Sequence, residues 1–212
     1  MAARRGLEAQ PLKARRFRRL RRVELPNDTI ALARFLIGTV LVHDAPEGRV
    51  AGRIVETEAY LSHDPASHSF RGPTKRNASM FLGRGFAYVY RIYGTKLCLN
   101  VTSESPGIGA AVLLRALEPL EGVEIMQARR EGAALRELAR GPGRLTEALG
   151  VSADVDGADL CKRGALWLAA SLTSAGVIGR STRIGLTKAA EDVLRFYERG
   201  NPYVSGPRWL SV

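Results

Sequence analysis

Cysteine is scarce in this chain, with only Cys98 and Cys161 among 212 residues. Two are too few for a disulfide framework, and nothing resembles a secretory signal. A reducing compartment is therefore expected, the cytoplasm or nucleoid of a bacterium or the nucleus of a eukaryote. Histidine is scarce too, at three. His63 and His68 stand five apart, a spacing that suits neither one helix face nor a zinc finger, so no metal is expected. No apolar run approaches the length of a membrane-spanning helix, so no membrane partner is expected. Walker loops, GxGxxG turns and nucleophilic Cys or Ser motifs are also missing, and no cofactor is expected.

What is present is the composition of an ordinary globular chain, 45% hydrophobic and 25% charged. Its length suffices to bury one full core. The net charge of +11 is unevenly spread. Residues 1–22 carry nine Arg or Lys and one Glu, a net of +8, which leaves +3 for the other 190. Residues 1–24 therefore read as a basic arm, fit either to track phosphates or to act as a solvated leader of no function. The globular part is expected to begin near Leu25.

Asp28 is a good N-cap for an apolar-rich helix over Ile30 to Ile37, which Gly38 stops. Thr39 to His43 predicts a strand, Ala45 to Gly48 a turn, and Arg49 to Tyr60 the hairpin partner. Within that partner Glu56, Glu58 and Tyr60 share one face, and Val55, Thr57 and Ala59 share the other. Two carboxylates about 7 Å apart on one face fit the wet side of a half-buried strand or a catalytic pair. Residues 61–80 form a long polar loop, the kind that is usually functional or disordered.

Phe86 to Ile92 and Lys96 to Thr102 predict a second hairpin, with Tyr88 and Tyr90 on one face and Tyr93 at the tip. Ala110 to Leu114 predicts a buried strand ending in Arg115. Pro119 and Glu121 are expected to open a helix reaching about Arg130. Gly141-Pro142-Gly143-Arg144 precedes a short helix, Leu145 to Leu149, and offers a phosphate seat or an ordinary turn. Short strands are expected around Trp167, Ile178, Ile184 and Phe196-Tyr197.

Several of these stretches, in order, resemble the alkyladenine (3-methyladenine) DNA glycosylase family. They are Arg53-Ile-Val-Glu-Thr-Glu-Ala-Tyr60, Ala66-Ser-His-Ser69, Tyr88-Val-Tyr-Arg-Ile-Tyr-Gly94 with Asn100, and Leu113-Leu-Arg-Ala-Leu-Glu-Pro-Leu-Glu-Gly122. Arg140-Gly-Pro-Gly-Arg-Leu145 and Leu194-Arg-Phe-Tyr197 add to them. The resemblance runs from about Ile30 to Ser205 and leaves the arm outside.

It implies one glycosylase domain over residues 25–212, a mixed α/β fold around a curved antiparallel sheet with flanking helices. It also implies a base-excision repair enzyme, acting as a monomer on double-stranded DNA that contains damaged purines. Such an enzyme flips an alkylated or deaminated purine, of the 3-methyladenine or hypoxanthine type, out of the duplex and hydrolyses its N-glycosidic bond. Residue by residue, Glu58 matches the general base that activates water. Arg115 matches an active-site Arg near that water and the target phosphate. Tyr60, His68 and Tyr90 match the rings that sandwich the base, and electron-rich rings favour a cationic purine. Asn100 matches the residue that crowds a 2-amino group, and Tyr93 matches the intercalating wedge. Gly143 and Arg144 are carried as phosphate-binding. No pocket lysine is available for a Schiff base, so simple hydrolysis is implied.

Two other readings compete. One is a basic nucleic-acid-binding protein without catalysis, in which Glu56 and Glu58 lie on a wet face. The other is a sugar glycosidase using that pair, which is weak because such carboxylates flank the scissile bond from two sides.

Overall fold

In the computed structural model, which describes residues 16–92 and 94–206, the longest element is β2 (Gly48–Tyr60). Its first half pairs with β1 (Val40–Ala45) as the expected hairpin. Its second half pairs on that side with β8 (Arg195–Glu198), which continues to β7 (Ile178–Ser181). Along its other edge β2 pairs with β5 (Ala111–Glu121). The sheet runs β3 (Ala87–Ile92), β4 (Lys96–Thr102), β5, β2, β1, β6 (Leu166–Ala169). All of these pairings are antiparallel, so the expected mixed fold around a curled antiparallel sheet is found.

Three helices cover one face. The first, α1 (Thr29–Leu36), starts where expected because the Asp28 carboxylate accepts from the Ala31 amide at 2.7 Å. Leu32, Ala33 and Leu36 are its buried apolar side, packed in the main core with Leu41, Ile54 and Leu114. Met126 of α2 (Val123–Arg129) and Leu145 and Leu149 of α3 (Pro142–Leu149) complete that layer. The opposite face carries smaller clusters, among them Met80, Tyr88 and Ala111 with Tyr60 and Tyr90 against them. The site lies on that face.

Five expectations change. The fold begins upstream of Leu25: Leu20 is buried and donates to the Leu168 carbonyl, and Arg18 accepts from Ala170. Arg19 lies over Trp167, and Arg22 pairs with Asp159 at 2.6 Å. Secondly, β5 does not end at Arg115 but runs to Glu121, through Pro119. β4 flanks it only as far as Leu113, so Pro119 sits where β5 is a sheet edge, and an edge tolerates proline's missing N–H.

The helix after β5 is correspondingly short. Gly122, at φ +71°, makes the turn; a Cβ there would lie 2.4 Å from the Arg49 carbonyl oxygen. Lastly, Pro142, Gly143 and Arg144 form the first turn of α3 rather than preceding it, and Ile184 lies outside any strand.

Candidate active site

Besides a shift between Ala51 and Gly52, β2 and β5 fall out of step around Glu56. Ile54 pairs with Leu117, Glu56 with Ala116, and Thr57 with Leu114. Each strand thus carries one extra residue, Val55 on β2 and Arg115 on β5, in two bulges set nearly opposite each other. A bulge places two consecutive side chains on one face and re-aims them. Ile54 and Thr57 therefore both face the helices: Ile54 packs in the main core, and Thr57 donates to the Ala33 carbonyl of α1. Val55 goes to the opposite face with Ala116, Tyr197 and Val204. This corrects the expected grouping of Val55 with Thr57 and Ala59. Glu56, Glu58 and Tyr60 do share a face.

That face is dry. Glu56 and Glu58 are both 0% exposed, which overturns the wet-strand reading. Burying carboxylates is costly unless they are paired and hydrogen-bonded, and both are. Glu56 Oε1 accepts from Arg115 Nε at 3.0 Å, Arg195 Nε at 2.6 Å and the Ser205 hydroxyl at 2.9 Å. Its Oε2 accepts from the Ser205 amide at 2.6 Å. Glu58 Oε1 faces Arg115 Nη1 at 3.1 Å and accepts from the Ile184 amide at 2.8 Å. Its Oε2 accepts from the Tyr60 hydroxyl at 3.0 Å. Two carboxylates and two guanidiniums make a centre that is neutral overall. For Arg115, burial alone would lower the pKa, but Glu58 and Glu56 more than reverse that. For the Tyr60 phenol, burial first and the Glu58 charge second raise it, so its proton stays on the hydroxyl that donates.

Tyr60 is also one wall of an open, largely aromatic cleft. The other walls include His68, Tyr88, Tyr90, Asn100 and Leu186. The His68 and Tyr90 rings stand edge-on at 4.5 Å, and Tyr88 lies 5.4 Å from Tyr90. His68 Nδ1 shares a 2.8 Å hydrogen bond with the Tyr88 hydroxyl, and its own carbonyl accepts from Asn77 Nδ2 at 2.9 Å. Burial, then the nearby Arg76 charge, lowers the His68 pKa, which favours the neutral ring. Burial pushes the Tyr88 phenol up to about 12 and raises Tyr90 as well. Asn100 is held by its Nδ2, which donates to the Tyr88 carbonyl at 3.0 Å. The result is a neutral, aromatic slot backed by a buried carboxylate, suited to a flat heterocycle.

Of the residues singled out in the sequence, Glu58, Arg115, Tyr60, His68, Tyr90 and Asn100 come together here. Gly143 and Arg144 do not. They sit at the start of α3, where Gly143 borders Lys96 and Arg144 is paired with Glu137. Tyr93 lies outside the described residues. His63 is exposed, and no cluster of potential metal ligands occurs among the described residues.

The sequence reading missed Arg195 and Ser205, which hold Glu56, and the segment Arg183 to Leu186, which supplies an amide to Glu58 and a wall to the cleft. Arg195 lies within a recognised motif, so a signal for it existed. An amide donor such as that of Ile184 leaves none.

Comparison with known proteins points to one family. The family model described as methylpurine-DNA glycosylase matches residues 24–202. A Mesorhizobium japonicum protein named "Putative 3-methyladenine DNA glycosylase" is 61% identical over 189 residues, covering 89% of this chain and 91% of that one. A protein of the same name from Paraburkholderia phytofirmans is 53% identical over 193 residues, 91% of each chain. One from Methanoculleus marisnigri is 50% identical over 182 residues, 84% of this chain and 94% of its own.

Proposed function

This chain belongs to the methylpurine-DNA glycosylase family, and from that premise we propose that it flips alkylated or deaminated purines out of duplex DNA and hydrolyses their N-glycosidic bond with a Glu58-activated water. The observation that carries this reading is the position of Glu58. Its carboxylate lies directly behind an aromatic cleft, hydrogen-bonded to the ring that walls it.

The two oxygens of Glu58 differ. Oε1 already faces two donors, Arg115 and Ile184, whereas Oε2 accepts only from Tyr60 among the described residues. A carboxylate oxygen has two lone pairs, so Oε2 is the atom with capacity for a water. In the reaction that water's oxygen attacks C1′ and its proton passes to Oε2. The glycosidic electron pair leaves with the base. A cationic 3-methyladenine departs neutral; a neutral hypoxanthine must leave as an anion or take up a proton. Charge builds at the sugar as in an oxocarbenium ion, and a nearby carboxylate stabilises it. Arg115 holds Glu58 in register.

Tyr60, His68 and Tyr90 would stack on the base, and the fixed Asn100 amide would crowd a 2-amino substituent. Tyr93, by its place in the motif, is the wedge that fills the vacated stack. Gly143, Arg144 and the basic arm are assigned to backbone phosphates, and the enzyme is taken to act as a monomer. The test is base release from duplexes containing hypoxanthine or 3-methyladenine, run in EDTA. Binding without release would return the chain to the non-catalytic class.

A further inference from the structure

Asp64 and Arg183 are a buried ion pair that the chemistry above does not use. Their side chains are 1% and 0% exposed. Arg183 Nη1 also donates to the Ala59 carbonyl at 3.0 Å. Its guanidinium lies 4.7 Å from the centre of the Tyr60 ring, while Arg183 itself is absent from the cleft wall. The cation therefore sits behind the ring that faces the cleft. Asp64 opens the loop that carries Ala66 and His68, its Oδ1 accepting from the Ala66 amide at 2.8 Å. Arg183 precedes Ile184, the amide donor to Glu58. One pair thus ties together the end of β2, the His68 loop and the 183–186 segment.

We propose that Asp64 and Arg183 set this site's preference between cationic and neutral bases. A ring attracts cations through the negative face of its quadrupole. A bare guanidinium behind Tyr60 would draw on that field and repel a positively charged base in front. Asp64 cancels the charge, so Tyr60 can favour an alkylated, cationic purine. The inference rests on the proposed glycosylase reading and deepens it. Arg183 and Asp64 are positioning residues here, acting through Tyr60.

The test is single-turnover excision of 7-methylguanine, cationic in DNA, and of neutral hypoxanthine, at one pH near neutrality. For each variant the ratio of the two rates is compared with the unaltered protein. Asp64→Asn leaves the cation with only the half-exposed Asp192, 3.7 Å away, and should lower the ratio by about 2- to 30-fold, the span of one cation–π contact. Arg183→Gln removes the cation and should raise it. Opposite signs are a signature that general loosening of the pocket cannot give, and either variant suffices if the other does not fold. Ratios that stay fixed, or move the same way in both variants, would overturn the proposal. Absence of any base release by the unaltered protein would instead reject the glycosylase reading.

Discussion

Arg115 reaches Glu56 through Nε at 3.0 Å, although their strands are out of register at that point. The two bulges bring them face to face, and Arg195 closes on the same carboxylate from β8 at 2.6 Å. Glu56 is therefore a keystone for two guanidiniums. Glu58, two residues on, is left with one oxygen bonded, among the described residues, only to Tyr60, a wall of the cleft.

The first prediction concerns stability. Removing one partner of a buried pair strands the other charge and costs about 3–5 kcal/mol. Glu56→Gln should lower unfolding free energy by up to that amount in denaturant titration. Excision by the protein that remains folded should change far less. A Glu56→Gln protein as stable as the unaltered one would show that Arg115 and Arg195 do not depend on it.

A second follows from Glu198. Its bonds to Arg53, outweighing the opposing effect of burial, hold its pKa down from 4.5 to about 2. A carboxyl depressed on folding stabilises above its unfolded pKa, and that stability drains away as pH falls from about 4.5 toward 2. Between pH 5 and 2 the unaltered protein should lose more stability than Glu198→Gln. Parallel curves would mean that the Arg53–Glu198 pair contributes nothing in solution.

Much of this was legible beforehand, and the gaps have physical causes. The β1–β2 hairpin, α1 and the Glu56–Glu58–Tyr60 face follow from a capping aspartate, a Gly turn and period-two alternation. The bulges at Val55 and Arg115 do not, because an extra residue in a strand has no compositional mark when both neighbours are strand formers. Pro119 pointed to a helix start because its acceptability depends on where β4 stops, a tertiary fact. The carboxylates read as wet for the same reason: the counter-charges of Glu56, Arg115 and Arg195, are 59 and 139 residues away in sequence.

A third prediction tests Asn100. With its amide fixed by the Tyr88 carbonyl, it should penalise the purine that carries a 2-amino group. Asn100→Ser should raise release of guanine-type bases relative to hypoxanthine. An unmoved ratio would reduce Asn100 to part of the β3–β4 packing.

A fourth concerns the basic arm. Arg18, Arg21 and Arg22 are engaged by Glu24 and Asp159 in the fold, so residues 2–15 are the stretch to delete. They hold Arg4, Arg5, Lys13 and Arg15, and each phosphate contact contributes about −0.9 to the log–log salt slope on duplex DNA. Deletion should flatten the slope by up to about 3.6 and weaken damaged and undamaged DNA alike. An unchanged slope would place the arm off the DNA.

The most direct measurement is single-turnover excision by Glu58→Gln beside Glu56→Gln, on the same lesion duplex, with binding measured in parallel. Glutamine keeps the shape of Glu58 and cannot take the water's proton. Excision by Glu58→Gln should fall by at least the roughly 10²–10⁴-fold that general-base catalysis supplies, with lesion binding retained. Glu56→Gln, corrected for its folded fraction, should fall much less. The reverse pattern, with Glu58→Gln active and Glu56→Gln folded but inert, would contradict the assignment of Glu58 as the base.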